Sequence, residues 1–279
     1  MREVGFWCLP EARGRGVVPA AVQAVARWAF AELGLPRLEW ATEIGNAASL
    51  RVAVKAGFAF EGRRRASLRQ RDGSFRDGWW AARLPSDGPE GAPPELPSPG
   101  LLTTTTPGGR ALHLRRWRPD DAEPLAQAVA GERFALPPRP DLQPREQARW
   151  FVSERAQEDW ATGDGAPFGV FAQDGAVVGS LQLILRGRRR PGIAEVGVWV
   201  ATHARRSGTA AASIAAMLAW AEPALGLAPI EWNATPDNLA SIGLAEHLGF
   251  VRESLARSAL PGPVPGERDD SVVLARLVG

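Results

Sequence analysis

An internal repeat constrains the fold of this chain of 279 residues more than any other feature of its sequence. Residues 3–68 align with residues 195–260 at a constant offset of 192 without a gap, and about 25 of the 66 pairs are identical. The match is too long and too regular for chance, and the period is far too long for a solenoid. The sequence therefore predicts a duplicated domain.

A linker separates the two copies. Residues 85–109 contain 12 Pro or Gly among 25 positions, which is typical of a connecting segment, with one short strand near its end. We therefore expect a partial first unit, a Pro/Gly-rich linker and a complete second unit, at residues 1–86, 87–100 and 101–279.

The first copy begins almost at the start of the sequence, whereas about 84 residues of the second unit, from Ala111 onward, precede the repeat. The strand that starts at Glu3 would then have an open edge, which is a template for aggregation. We expect that the true start of the protein lies upstream of Met1. The alternatives are that the linker, the second domain or another chain covers this edge.

The second copy shows the fuller order of elements. Alternating apolar residues predict strands, and apolar residues at helical spacing predict helices, in the order β-α-α-β-β-β-α-β-α-β-β. Asp174-Gly175 indicates a hairpin turn between two of the strands. This order predicts an α/β fold with a mixed sheet.

Composition excludes several classes of protein. With a single cysteine, Cys8, and three histidines far apart in sequence, we expect no metal site. No apolar stretch is long enough to cross a membrane and the amino terminus is not a secretory signal, so we expect a cytoplasmic protein. The net charge is +2, and only residues 186–190 (RGRRR) come close to the clustered basic face of a nucleic-acid-binding protein, so nucleic acid is an unlikely partner.

A glycine-rich turn follows the first predicted strand. Arg13-Gly14-Arg15-Gly16-Val17-Val18 stands directly before an apolar helical pattern. Such a turn exposes main-chain N–H groups at the positive end of the helix dipole, where they can hold a pyrophosphate. An ordinary connection between a strand and a helix is the alternative.

The sequence of motifs resembles the GNAT acetyltransferase superfamily. Glu-Val-Gly-x-Trp is followed by Arg-x-x-Gly, then Leu-Gly-Leu, Asn-x-x-Ser and Gly-Phe, at spacings that suit this family. The chain looks most like the branch that acetylates ribosomal-protein N-termini. The resemblance covers residues 1–84 and 101–279, and it implies two units with the GNAT mixed sheet, the first without its N-terminal half.

The resemblance implies acetyl-CoA as co-substrate. The turns that would bind its pyrophosphate are Arg13, Gly14, Arg15, Gly16, Val17 and Val18 in the first copy, and Arg205, Arg206, Ser207, Gly208, Thr209 and Ala210 in the second. Asn46 and Asn238 match the asparagine that bonds the pantetheine arm, although each could simply cap a helix. Arg206 stands where the first copy has Gly14, so the second turn is expected to bind more weakly.

Amide formation needs a neutral amine, and hence a base. Glu195, on the strand that opens in this fold, is the candidate, and Glu3 is its counterpart; pairing with arginines is the alternative. Family members commonly protonate the leaving thiolate with a tyrosine, but the chain contains no tyrosine. Ser241 and Ser49, or solvent, would serve instead, since a thiolate of pKa about 8.5 is a tolerable leaving group.

The sequence thus predicts an N-acetyltransferase that transfers the acetyl group of acetyl-CoA to a primary amine, at a protein N-terminus or on a small molecule. A non-catalytic acyl-CoA-binding or scaffold protein is the alternative, and an arginine-rich nucleic-acid-binding protein is a third reading. The matched tryptophans Trp28, Trp40, Trp220 and Trp232 are expected in the core. The sequence leaves a homodimer open.

Overall fold

The chain folds into two compact units, seen in a computed structural model that describes residues 2–91, 96–132, 141–185, 193–227, 229–262 and 266–277. The first unit comprises Met1–Glu95 with Val152–Thr162, and the second comprises Leu96–Phe151 with Gly163–Gly279. The second stretch of the first unit is therefore distant in sequence from the first stretch, and it interrupts the second unit. The basic run 186–190 lies outside the described residues.

The described residues of the first stretch of this unit form a three-stranded antiparallel sheet and two α-helices. The sheet order is β1-β3-β2. In chain order the elements are α1 (Val17–Ala31), β1 (Leu38–Glu43), α2 (Ala47–Lys55), β2 (Ala59–Arg69) and β3 (Phe75–Arg83). Asp72 accepts hydrogen bonds from the main chain and the hydroxyl of Ser74, and this closes the hairpin between β2 and β3.

The second unit is built on an eight-stranded mixed sheet of order β10-β11-β9-β8-β7-β6-β5-β4. One neighbouring pair, β8 and β9, is parallel, and the other described pairs are antiparallel. Its elements are β4 (Leu101–Thr105), β5 (Ala111–Arg116), α3 (Ala122–Ala128), α4 (Pro144–Trp150), β6 (Gly165–Ala172), β7 (Val177–Leu185), β8 (Ala194–Val200), α6 (Thr209–Leu225), β9 (Ile230–Ala234), α7 (Leu239–His247), β10 (Val251–Pro261) and β11 (Arg268–Arg276).

A helical segment joins the two units along the chain. After α4, a π-helical turn spans Phe151–Arg155 and α5 spans Ala156–Thr162. In α5, Glu158 accepts hydrogen bonds from Arg63 and, at 2.6 Å, from the indole nitrogen of Trp79. Ala161 is part of the apolar core of the first unit, together with Trp40 and Phe58. The core of the first unit is thus completed by residues from much later in the sequence.

The predicted order of helices and strands in the second copy is observed, with shifts of one to three residues at most of the boundaries. The predicted strand from Glu3 to Leu9 is wrong in the first copy, where a single parallel bridge joins Glu3 to Glu39. Its equivalent, β8, gains its ladder mainly from β7, and the described residues of the first unit include no counterpart of β7.

The tryptophan predictions are only partly correct. Trp40 and Trp232 are buried, as expected. Trp28 is 54% exposed, which contradicts the prediction. Its counterpart Trp220 contacts Phe168 of β6 edge to face at 5.5 Å between ring centroids, and the three strands described in the first unit include no equivalent of β6.

Among the described residues, no helix is long and apolar enough to span a membrane, and no three His, Cys, Asp or Glu side chains are grouped so that they could hold a metal ion.

Candidate active site

The parallel ladder between β8 and β9 is short. It joins Ala194 to Ile230 and Glu195 to Glu231, while β8 continues to Val200 paired only with β7. The sheet therefore opens beyond Glu195, between the two strands that lead into α6 and α7. The opening lies directly at the glutamate that the sequence analysis selected as a base.

A second carboxylate accompanies Glu195 at this opening. Residues paired across neighbouring strands direct their side chains to the same face of a sheet, so Glu231 lies beside Glu195 on one face. Glu231 was not among the site residues predicted from the sequence. The signal was available, because Glu39-Trp40 and Glu231-Trp232 are identical in the two copies, but the strand register was needed to bring the two acids together.

The turn before α6 has the geometry of an anion-binding helix start. Gly208 precedes the helix in the left-handed conformation (φ 81°), and α6 begins at Thr209 with its first N–H groups directed back along the axis. Arg206 is also left-handed, at φ 56°, an unusual conformation for a residue with a Cβ. The turn is held in this shape by its neighbours rather than by the preference of its own residues.

Arg205 is the residue that ties this turn to the strand before it. Its Nε donates to the carbonyl oxygen of Val200 at 2.9 Å, and its Nη2 lies 2.5 Å from Glu132 Oε2. Glu132 also accepts a hydrogen bond from the Thr202 hydroxyl. That hydroxyl first, and the guanidinium of Arg205 second, lower the pKa of the Glu132 carboxyl below its usual range.

The turn of the first unit repeats this construction. Arg13 Nε donates to the carbonyl oxygen of Cys8 at 3.4 Å, as Arg205 does to Val200. Gly14 and Gly16 are left-handed, at φ 75° and 74°, the positions of Arg206 and Gly208. No other group lies within 4 Å of a Cβ built on Gly14, so what the structure requires of this glycine is its backbone conformation.

The two predicted asparagines cap helices. Asn238 Oδ1 accepts from the Ser241 N–H at 3.1 Å, and Asn46 Oδ1 accepts from the Ser49 N–H at 3.2 Å. Both side chains are exposed, and the Nδ2 group of Asn46 also donates to Thr42 Oγ1 at 3.1 Å. The alternative role of the two asparagines, as helix caps, is therefore observed.

The two predicted serines are oriented by tryptophans. Trp232 Nε1 donates to Ser241 Oγ at 2.9 Å, and Trp40 Nε1 donates to Ser49 Oγ at 3.2 Å. Both serines lie in the first turn of their helices, as predicted. A hydroxyl that accepts from an indole keeps its own hydrogen for donation to another group.

The first unit differs from the second in the surroundings of Glu39, which is the counterpart of Glu231. Glu39 is buried and its Oε1 lies 2.8 Å from Arg37 Nε and 4.0 Å from Arg64 Nη2. Arg37 also binds Glu61, and this pairing lowers the pKa of the Glu61 carboxyl and raises that of the guanidinium. At the positions of Arg37 and Arg64, the second copy has Pro229 and Ala256.

Comparison with known proteins identifies the family. Residues 1–59 and 111–251 match the family described as "Acetyltransferase (GNAT) domain", more than half of the chain. A stretch of 66 residues is 36% identical to YdaF of Bacillus subtilis (strain 168), assigned as a ribosomal N-acetyltransferase. This stretch is 24% of the chain and spans only 36% of the length of that relative.

Solved structures support the same fold. RimJ of Mycobacterium smegmatis, in complex with CoA-disulfide, has a TM-score of 0.57 at 24% identity, over 66% of this chain and 90% of that protein. A Vibrio cholerae protein, described as a ribosomal-protein-serine acetyltransferase, has a TM-score of 0.53 at 22% identity, over 66% of this chain and all of that protein. The chain matches the family over more than half of its length, and it has the mixed sheet that opens at Glu195 and the glycine turn before α6. The chain therefore belongs to the GNAT family of acetyltransferases.

Proposed function

We propose that this chain is an N-acetyltransferase that transfers the acetyl group of acetyl-CoA to a primary amine, and that the second unit carries the chemistry. The observation that carries the proposal is the opening of the β8–β9 ladder at Glu195 and Glu231. A carboxylate pair at this opening suits a reaction that begins with the removal of a proton from an ammonium group.

The coenzyme site of the proposal is the turn of residues 205–210. Main-chain N–H groups of the turn and of the first turn of α6 would hold the pyrophosphate. Arg205 supports the turn through Val200 and Glu132, so it acts by shaping the loop, whereas Arg206 is exposed beside it and can approach a phosphate. Asn238 caps α7 through Oδ1, and it would bond the pantetheine arm through its Nδ2 group.

The proposed chemistry uses side chains at the opening. Glu195 takes a proton from the ammonium group, and the lone pair of the amine then attacks the thioester carbonyl carbon. The C–S bond of the tetrahedral adduct breaks and the thiolate leaves. The nitrogen still carries one proton more than the amide product, and this proton passes through Ser241 or water to the thiolate, which restores the serine hydroxyl; Glu195 returns the first proton to solvent. Trp232 fixes the Ser241 oxygen from behind, which leaves the hydroxyl hydrogen to point at the departing sulfur.

We infer that the chain carries the fold as a tandem repeat with a truncated first unit. Contacts that recur at the sequence offset support this inference. Arg13 and Arg205 donate to the carbonyl oxygens of the matched residues Cys8 and Val200. Arg83 and Arg276 lie one position off the offset, and each donates from Nη1 to the carbonyl of the residue directly after the Asn-capped helix, at 3.0 and 2.8 Å. The same left-handed kink occurs at Ala66 and Ser258.

We propose that the first unit does not catalyse the reaction. Its acid Glu39 is buried and held in ion pairs with Arg37 and Arg64, and Glu3, the counterpart of Glu195, is joined to the sheet by a single bridge instead of a strand ladder. The first unit can still bind coenzyme, because its turn keeps the two left-handed glycines.

The acceptor is proposed as a protein N-terminus, with a small-molecule amine as the other possibility. Two of the relatives are named as ribosomal-protein acetyltransferases, which favours the former. A non-catalytic acyl-CoA-binding or scaffold protein remains the second candidate, and the absence of tyrosine from the sequence favours it.

Thiol release from acetyl-CoA, measured with a panel of N-terminal peptides and small amines, tests the proposal. We expect release that depends on an amine and is lost in Glu195→Gln. Calorimetry with acetyl-CoA separates the candidates, because coenzyme binding without amine-dependent release from any acceptor would favour the scaffold.

A further inference from the structure

The proposed chemistry leaves one polar residue of the sheet opening unused. Asn233 lies on β9, two residues after Glu231. Side chains on one face of a strand recur at every second residue, so Asn233 shares the face of Glu195 and Glu231. The ladder between β8 and β9 ends at Glu195, so no residue of β8 is paired with Asn233. Its half-buried side chain therefore borders the opening.

A buried serine orients the amide group of Asn233. The hydroxyl of Ser271, which lies fully buried on β11, donates to Asn233 Oδ1 at 3.1 Å. The carbonyl oxygen of Val272, at 3.2 Å, is the other acceptor within reach of this hydroxyl. In the sheet, β11 flanks β9 on the side opposite β8. With Oδ1 turned toward β11, the Nδ2 group is directed away from β11, and among the described residues it donates to no other group.

The first copy has alanine at the position of Asn233. The repeat offset matches Asn233 with Ala41. The strand register agrees, because Ala41 pairs with Trp80 of β3 as Asn233 pairs with Val273 of β11. Since the alanine side chain has no polar group, the first unit has no side-chain donor at this point of its sheet.

The first copy also lacks the orienting serine. Two residues before the strand partners Trp80 and Val273 stand Gly78 and Ser271, so these two positions correspond. A Cβ on Gly78 would lie 2.8 Å from Cδ1 of Leu68, and a serine there would have to displace that side chain. The amide and the hydroxyl that orients it thus occur together in one unit and are both missing from the other.

Transfer of the acetyl group places negative charge on one oxygen. When the amine attacks the thioester, the carbonyl oxygen of acetyl-CoA becomes the oxyanion of the tetrahedral adduct. Glu195 and Glu231 lie at the same opening, and carboxylates repel an anion. A neutral N–H group that is already oriented stabilises the oxyanion without adding charge and without reorganisation during the reaction.

We propose that Asn233 Nδ2 donates a hydrogen bond to the carbonyl oxygen of the thioester and, more strongly, to the oxyanion of the adduct. The proposal rests on the transfer from acetyl-CoA that is proposed for the second unit. Asn233 is then a catalytic residue, and Ser271 is a positioning residue. The amide neither gains nor loses a proton, and the hydrogen bond weakens again when the C–S bond breaks and the carbonyl group forms anew.

The first experiment compares the binding of acetyl-CoA and CoA to the full chain by calorimetry, at the site that Arg205→Ala weakens. CoA lacks the carbonyl group, so a hydrogen bond from Asn233 should favour acetyl-CoA by a factor of roughly two to ten. Asn233→Ala and Asn233→Asp should both lower the preference by this factor, because neither side chain is a donor at neutral pH. A merely structural defect would weaken the binding of both molecules alike. Ser254→Ala, at an exposed position of β10, is the matched control and should keep the preference.

The second experiment measures thiol release in the presence of an amine. Asn233→Ala should lower kcat by a factor on the order of 10²–10³ and change the KM for acetyl-CoA far less, because the hydrogen bond is strongest in the transition state. Ser271→Ala should lower kcat less than Asn233→Ala, since the donor remains but is no longer oriented. Ser254→Ala should leave both constants unchanged.

The two experiments separate this proposal from the proposed function. A preference for acetyl-CoA that stays the same in both Asn233 variants would overturn the proposal, and so would a full kcat in Asn233→Ala. If no amine supports thiol release, the proposed function fails, while the binding preference still tests the contact of Asn233. If the chain binds neither acetyl-CoA nor CoA, both proposals are wrong.

Discussion

Replacing Gly208 by alanine tests the description of the coenzyme turn. Gly208 and its counterpart Gly16 both precede a helix in the left-handed conformation, at φ 81° and 74°. A Cβ in that conformation costs about 1–2 kcal/mol, so this part of the cost is shared by Gly208→Ala and Gly16→Ala.

The surroundings of the two glycines differ. A Cβ on Gly208 would lie 2.7 Å from Cδ of Pro107, whereas a Cβ on Gly16 meets no other group within 4 Å. The ring of Pro107 cannot rotate away, and overpacking of this kind costs roughly 1–3 kcal/mol. We therefore expect Gly208→Ala to destabilise its turn by about 2–5 kcal/mol and Gly16→Ala to destabilise its own turn by about 1–2 kcal/mol.

Hydrogen exchange with mass spectrometry is the suitable assay, because two units can unfold in separate steps and one global midpoint would mix them. Peptides that cover the two turns report each opening free energy in the same sample. Equal losses of protection in the two variants would refute the reasoning, since they would show that Pro107 does not confine Gly208.

Three further predictions follow from the same sites. Glu195→Gln should lower kcat far more than it raises the KM for acetyl-CoA, because a base acts in the transition state, whereas Glu3→Gln should leave both unchanged. Calorimetry with acetyl-CoA should find two sites, and the site in the first turn should bind more tightly, since that turn has glycine where the second has arginine. Arg13→Ala should weaken the tighter site and Arg205→Ala the weaker one. Equal affinities at the two sites would contradict this prediction. The lowered pKa of Glu132 means that its contribution to stability is present above its ordinary value of 4.5 and is lost as the pH falls through the lower folded value. The protection factors of the amides in the second turn should therefore fall as the pH is lowered below 4.5, and Glu132→Gln should flatten this dependence.

Local sequence signals predicted much of the candidate site. The repeat placed Asn238 and Ser241 together at one helix start, because capping is decided by neighbouring residues. It also placed a tight turn before α6, since Gly14 and Gly16 occupy its positions in the other copy, whereas the left-handed conformation of Arg206 was not predicted. These features depend on residues within a few positions of one another.

Features that depend on distant residues were not predictable in this way. The exposure of Trp28 follows from the absence of a strand beside it, which the sequence of α1 does not encode. The pairing of Glu39 with Arg37 and Arg64 required the fold, because Arg64 lies two elements away. The placement of Glu231 beside Glu195 depends on the register between β8 and β9. This register could not be predicted from local sequence, because α6 separates the two strands along the chain.

The helical segment that follows α4 has a consequence for how the protein can be divided. The boundary between the units falls inside this segment, after Phe151, so residues 152–162 supply part of the first core while their covalent neighbours belong to the second unit. A protease that cut the linker would release a fragment of residues 1–86 without Glu158 and Ala161, and Trp79 would lose its hydrogen-bond partner. The two units are therefore not autonomous modules, and the linker is a poor place to split the gene for separate expression.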